Sequence, residues 1–224
     1  MFDGYEIVIK EYFLKLLEPK SLISVLAVIA LAVIFFVISR KVSYNTKILA
    51  YGAIAIAASF VLSYIRLFRF PNGGSVTVAS MLPLFIFAYI AGPRAGMMAG
   101  MCLGMLQFIQ DAYFVHWTQF LLDYPIAFAL LGLAGLCGKN IFVGAFLGSF
   151  GRFICHFLSG VVFFAEYAGE QNVFLYSLIY NGSYILPDMI ICLAILAIPS
   201  VRSAITQLSQ RTPRAKLIKN QMAS

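Results

Sequence analysis

Residues 117–137 read WTQFLLDYPIAFALLGLAGLC, an apolar run interrupted by a single charged residue, Asp123, near its start. A helix of about 20 mostly apolar residues crosses the hydrocarbon core of a bilayer, so this run has the length of a membrane span. The rest of the chain has the same character. Of its 224 residues, 62% are hydrophobic and only 11% are charged, and the mean hydropathy is +0.91. Soluble domains carry about a quarter charged residues, so the composition indicates an integral membrane protein. The apolar runs lack the period-two alternation of a membrane barrel, which leaves an all-α architecture.

Seven spans are expected: Leu22–Ser39, Leu49–Ile65, Val76–Ala91, Ala95–Ile109, Trp117–Cys137, Phe142–Phe164 and Val173–Ile198. Residues 1–20 alternate charges with apolar positions and read as an amphipathic surface segment rather than a cleaved leader. No polar stretch is long enough to fold as a second domain. The chain therefore divides into 1–46 (amphipathic segment and first span), 47–200 (a membrane domain) and 201–224 (a basic tail).

The formal net charge of +7 is read as topology rather than as nucleic-acid binding, because basic residues concentrate on the cytoplasmic side of a membrane. With the C-terminus cytoplasmic, the inside holds Arg40, Lys41, Lys47, Arg94, Lys139, Arg202, Arg211, Arg214, Lys216 and Lys219. The outside holds Lys10, Lys15, Lys20, Arg66 and Arg69. The reverse orientation inverts this ratio. A cell-membrane protein with an external N-terminus is expected, with Asp123 about two turns below the outer face.

Two small-residue patterns suggest close helix contacts. Gly96, Gly100 and Gly104 form one strip, and Ala53 and Ala57 form another. Each suits either internal packing or docking of a separate membrane subunit. Cys102, Cys137, Cys155 and Cys192 lie in apolar stretches without metal-ligand spacing and read as small fillers. Asn181-Gly182-Ser183 matches a glycosylation triplet but sits inside an apolar segment.

Ionisable residues inside a membrane are costly and mark function. Here they are Asp123, Arg152, His156 and Asp188, with Asn181 as an uncharged companion. Arg152, His156, Gly160 and Phe164 recur every fourth residue and share one broad helix face. Asn181 and Asp188 share another. Tyr176 is five residues before Asn181, so both reach one ligand only if Tyr176 lies at a rim or the first turn is irregular. Asp188 has two open readings: an ion pair with Arg152, or contact with solvent near the inner face. The chain has no H-E-x-x-H, no G-x-S-x-G and no Walker motif, which argues against an enzyme and against ATP use by this chain. An acid, a histidine, an amide and tyrosines around one space suit a small cationic aromatic ligand.

The strings PNGGSVTVASMLPL, LLDYPIAFALLGLAGL, HFLSGVVFFAEYA and YSLIYNG together resemble the ThiT/YuaJ family of thiamine transporters. These are thiamine-specific S components, the substrate-binding membrane subunits of energy-coupling factor (ECF) transporters. The resemblance covers about residues 47–200. It implies a six-helix S-component core, here with Leu22–Ser39 as an additional N-terminal helix, and a gating loop at Arg66–Gly74. It implies thiamine contacts at Tyr113, Asp123, Tyr124, His156, Gly160, Phe164, Tyr176 and Asn181, and docking of the coupling subunit at Ala53 and Ala57. Asp123 stands where some members carry Glu. The gating loop has no tryptophan, and its aromatics are Phe68 and Phe70. The implied partners are thiamine, a transmembrane coupling subunit, two ATPase subunits and the lipid bilayer; no cofactor is implied, thiamine being the cargo. Three other readings stay open: a solitary thiamine transporter driven by an ion gradient, with Asp123 and Asp188 as proton carriers; an S component for another vitamin; and a membrane enzyme acting on a lipid.

Overall fold

The computed structural model describes residues 46–211 apart from Lys139, together with Leu26, Ile29 and Val33, which are helical. The expected amphipathic segment 1–20 and the rest of the expected span Leu22–Ser39 lie outside the described residues, as does the tail from residue 212.

The described chain is mostly helical: α1 (Thr46–Ser63), a hairpin of β1 (Arg66–Arg69) and β2 (Ser75–Thr77), α2 (Leu82–Ala91), α3 (Pro93–Gln110), α4 (Trp117–Leu136), α5 (Ile141–Phe163), α6 (Val173–Ala197) and α7 (Pro199–Gln210). Among the described residues, α1, α4, α5 and α6 are long and apolar enough to cross a membrane. The C-terminal ends of α1, α3 and α5 gather with the N-terminal ends of α4 and α6 at one end of the bundle, where the hairpin sits.

The segment expected to be the span Val76–Ala91 differs from that reading. Only Leu82–Ala91 is helical, ten residues, because β-branched Val76, Thr77 and Val78 enter an extended path and Pro83 opens the helix. Extended backbone at this depth must find partners inside the protein. Thr77 N–H donates to Asp188 Oδ1 at 3.2 Å, and Val78 N–H donates to Ile65 O at 3.1 Å. The hairpin pairs antiparallel, Arg66 opposite Thr77 and Arg69 opposite Ser75. Its turn, Pro71–Gly73, places Gly73 at φ +97°, a conformation that favours glycine.

α4 is the least regular span. It opens as an α-turn over Trp117–Leu121, widens to a π-type turn over Leu122–Ile126, returns to α over Ala127–Leu130 and tightens to 3-10 geometry over Leu131–Leu136. Pro125 supplies the physical reason for the wide turn: it has no N–H and its ring crowds the carbonyl one turn back. The glycine strip of α3 packs against this irregular wall. A Cβ at Gly100 would lie 2.1 Å from Phe128 O, and one at Gly104 would lie 2.5 Å from Tyr124 O. That strip is therefore an internal seam. Ala53 and Ala57, in contrast, face outward from α1, while Gly52, Ala55 and Ser59 face the core.

The main core is built from Met81, Leu84, Phe85, Met97, Leu103 and Leu131 with the fillers Cys155 and Cys192. The first residues of the expected tail form α7, whose Ile205 returns to this core.

Candidate functional site

A cavity of about 120 Å³ lies under the hairpin, between α4, α5 and α6. All eight residues singled out from the sequence for ligand contact line it: Tyr113, Asp123, Tyr124, His156, Gly160, Phe164, Tyr176 and Asn181. They come from α4, α5 and its C-cap Phe164, α6 and the loop preceding α4, so the bundle alone brings them together.

Asp123 stands in the π-type turn of α4 and accepts three hydrogen bonds. Gln119 Nε2 donates to Oδ2 at 2.7 Å and Ser159 Oγ donates to Oδ2 at 2.9 Å. His156 Nδ1 lies 3.2 Å from Oδ1. Arg152 Nε lies 3.3 Å from His156 Nε2. A guanidinium only donates, so Nε2 must accept and the imidazole carries its proton on Nδ1, facing Asp123. Both ring nitrogens are thus occupied, and His156 offers the cavity a ring rather than a free polar atom. The Arg152 guanidinium also lies 4.5 Å from the centre of the Phe128 ring, a favourable cation–π placement.

The two open readings of Asp188 give way to a third. Its carboxylate accepts from Thr77 Oγ1 at 2.8 Å as well as from Thr77 N–H, and the residue is 3% exposed. Among the described residues it forms no ion pair with Arg152, which is turned instead toward His156. Asp188 anchors the end of the hairpin and is closed off from solvent.

Asn181 lines the cavity while stapling α5 to α6. Its amide nitrogen donates to His156 O at 3.1 Å and to Ser177 O at 2.9 Å, and its Oδ1 accepts from Tyr184 OH at 2.7 Å. A buried, paired Asn does not act as a glycosylation site. Gly160 is what lets the two helices meet here: a Cβ would lie 2.2 Å from Ser177 Oγ. α6 is regular from Val173, capped by Asn172, so Tyr176 reaches the cavity from the rim, in the first turn. Its ring stacks on Tyr180, centres 5.8 Å apart.

The outer wall is aromatic. Tyr113 lies 5.7 Å from Phe164, and its hydroxyl is 3.1 Å from that of Tyr167. That hydroxyl contact, with desolvation, raises the Tyr113 phenol above its ordinary value of 10.0. Tyr124 fixes the loop before α4, its OH accepting from Tyr113 N–H at 2.9 Å and donating to Asp111 O at 3.0 Å.

Sequence reasoning missed several participants. Tyr180 OH donates to Pro71 O and accepts from Gly74 N–H at 3.3 Å, pinning the hairpin turn. Gly74 is needed there, since a Cβ would lie 2.7 Å from the Tyr184 ring. Of the two loop aromatics, Phe70 packs between Tyr180 and Tyr184, while Phe68 is exposed. Asp111 clasps the hairpin from α3, 2.8 Å from Arg66 and 2.9 Å from Arg69. Gln119 was legible in principle, four residues before Asp123 and hence on its helix face; Ser159, on another helix, was not.

Residues 49–207 match the family model described as thiamine transporter protein (Thia_YuaJ). Thiamine transporter ThiT of Bacillus subtilis (strain 168) is 33% identical over 166 residues, which is 65% of this chain and 86% of that protein. Thiamine transporter ThiT of Lacticaseibacillus paracasei is 29% identical over 171 residues, 65% of this chain and 83% of that protein. A solved structure of ThiT from Listeria monocytogenes is similar with a TM-score of 0.62 at 25% identity, covering 70% of this chain and 98% of that one.

Proposed function

The chain belongs to the thiamine transporter (Thia_YuaJ) family of multi-pass membrane proteins, and on that premise we propose that it binds extracellular thiamine in the cavity beneath the hairpin. The observation that carries the reading is Asp123, a carboxylate aimed into an aromatic-lined membrane cavity. Its carboxylate suits the amine of the aminopyrimidine ring. Tyr176, Phe164, Tyr113 and the His156 ring supply faces for the pyrimidine and the cationic thiazolium. Asn181, committed to Ser177, His156 O and Tyr184, keeps one Oδ1 lone pair for the ligand. Arg66, Gly73, Gly74 and Ser75 of the hairpin line the cavity from above.

The chain acts in this reading as the substrate-binding subunit of an ECF-type transporter. Helices α1–α6 form its six-helix core with Leu22–Ser39 as a further span, the N-terminus outside and the C-terminus cytoplasmic. The outward-facing pair Ala53 and Ala57 supports docking of a transmembrane coupling subunit that works with two ATPases.

The test is calorimetric titration of the purified chain with thiamine, wild type against Asp123→Ala. A hydrogen bond to a charged group is worth about 1.5–3 kcal/mol, so the variant should bind at least about 10-fold more weakly. Equal affinities would overturn the site. Vesicles holding this chain alone separate the coupling readings: ion-gradient-driven thiamine uptake there would replace ATP-coupled delivery with solitary transport.

A further inference from the structure

The hydrogen bonds around Asp123 divide its two oxygens unequally. Oδ2 receives both Gln119 Nε2 and Ser159 Oγ, at 2.7 and 2.9 Å, which fills its two lone pairs. Oδ1 receives only His156 Nδ1 and keeps one acceptor position. Neither Oδ2 donor is free to meet a ligand. Ser159 is 1% exposed and is not among the residues lining the cavity. Gln119 does line the cavity, but it is 1% exposed and its polar atoms are already engaged. Its nitrogen divides its two hydrogens between Asp123 and Tyr113 O, while its oxygen accepts from Val115 N–H at 3.0 Å. This full set of partners also fixes which way the amide points.

We propose that Gln119 and Ser159 are positioning residues that lock Asp123 Oδ2 and so present Oδ1 as the single recognition atom for the amine of the ligand. The inference rests on the reading that thiamine binds in this cavity. The two anchors come from different helices, α4 and α5, so the carboxylate is held across the helix seam rather than by its own helix alone. A short side chain in a widened turn has few rotamers that reach the cavity, and the two donors select one of them. Gln119 extends the effect outward, because its other contacts order the loop that carries Tyr113. Discrimination should therefore depend on Ser159 although Ser159 never touches the ligand: a fixed acceptor rejects an analogue lacking the N–H donor, since the acceptor is then left unpaired.

The test measures calorimetric affinities for thiamine and for its analogue with a carbonyl oxygen in place of the amine. Wild type, Ser159→Ala, Gln119→Met, Asp123→Ala and the Ser159→Ala/Asp123→Ala double variant are compared, each first checked for an unchanged melting temperature. Ser159→Ala should lose about 10-fold in thiamine affinity while changing the analogue little, which shrinks the preference between the two. Gln119→Met serves as the second variant should Ser159→Ala melt early, with the same expectation. In the Asp123→Ala background, Ser159→Ala should have no further effect. Equal losses for both ligands, or full additivity in the double variant, would mean a merely structural role and overturn the proposal. A weakened Asp123→Ala with unaltered Ser159→Ala and Gln119→Met would overturn this inference alone. An unaltered Asp123→Ala would overturn the cavity reading beneath it.

Discussion

Arg152 Nε lies 3.3 Å from His156 Nε2, and this contact places the imidazole proton on Nδ1, 3.2 Å from Asp123 Oδ1. A cation, a ring and a carboxylate thus stand in series across the base of the cavity. His156→Leu would remove the ring between them, leaving Arg152 Nε without its acceptor and Asp123 Oδ1 without its donor while Gln119 and Ser159 still hold Oδ2. Thiamine affinity should fall about 10- to 100-fold by calorimetry, in line with the cost of unpairing a buried charged group. An affinity within about twofold of wild type would remove His156 from recognition.

Pro125 makes a different prediction. Its missing N–H leaves α4 wide at Asp123. Pro125→Ala restores a donor and allows the turn to close, which rotates Asp123 along the helix surface. Thiamine affinity should drop about 10-fold or more by calorimetry, because the carboxylate leaves Ser159 and His156. If affinity is unchanged, the turn is held open by packing against Gly100 and Gly104 rather than by the proline.

At Gly160, one methyl group decides the distance between α5 and α6. Its Cβ would stand 2.2 Å from Ser177 Oγ, and overpacking of this kind costs about 1–3 kcal/mol. Gly160→Ala should lower the melting temperature in detergent. Removing the clashing oxygen in Gly160→Ala/Ser177→Ala should recover part of it. No recovery would place the strain at Asn181 instead, whose Nδ2 lies 3.0 Å from the same position.

His116 gives a pH dependence. It caps α4 by accepting from Thr118 N–H at 3.2 Å and stacks on Phe163. Burial lowers its pKa below the ordinary 6.5. The folded state therefore binds this proton less readily than the unfolded chain. Its contribution to stability is complete above about pH 6.5 and declines as pH falls from there toward the folded value. Protonation also opposes the helix dipole at an N-terminus. Melting temperature should drop between neutral pH and pH 5 in wild type, and drop less in His116→Ser, whose hydroxyl caps without titrating. Parallel curves would show that His116 does not govern this end of α4.

The run Trp117–Cys137 and its neighbours declared a helical membrane protein by composition alone, because length and apolarity are what a bilayer selects. Periodicity also assembled the α5 face of Arg152, His156 and Gly160, since residues four apart share a side of any helix, while Phe164 stands just past the helix as its C-cap and still lines the cavity. It failed at Val76–Ala91, where an apolar run satisfies a strand entering the bundle as well as a helix crossing it. What pairs with each buried polar group was decided only by the tertiary structure. Ser159 is 36 residues from Asp123, and Thr77 is 111 from Asp188. No local rule links such positions. The sequence placed an acid in the membrane; the packing of α4 against α5 determined how donors divide between its two oxygens, because hydrogen bonds in a dry interior go to whatever donor the neighbouring helix presents.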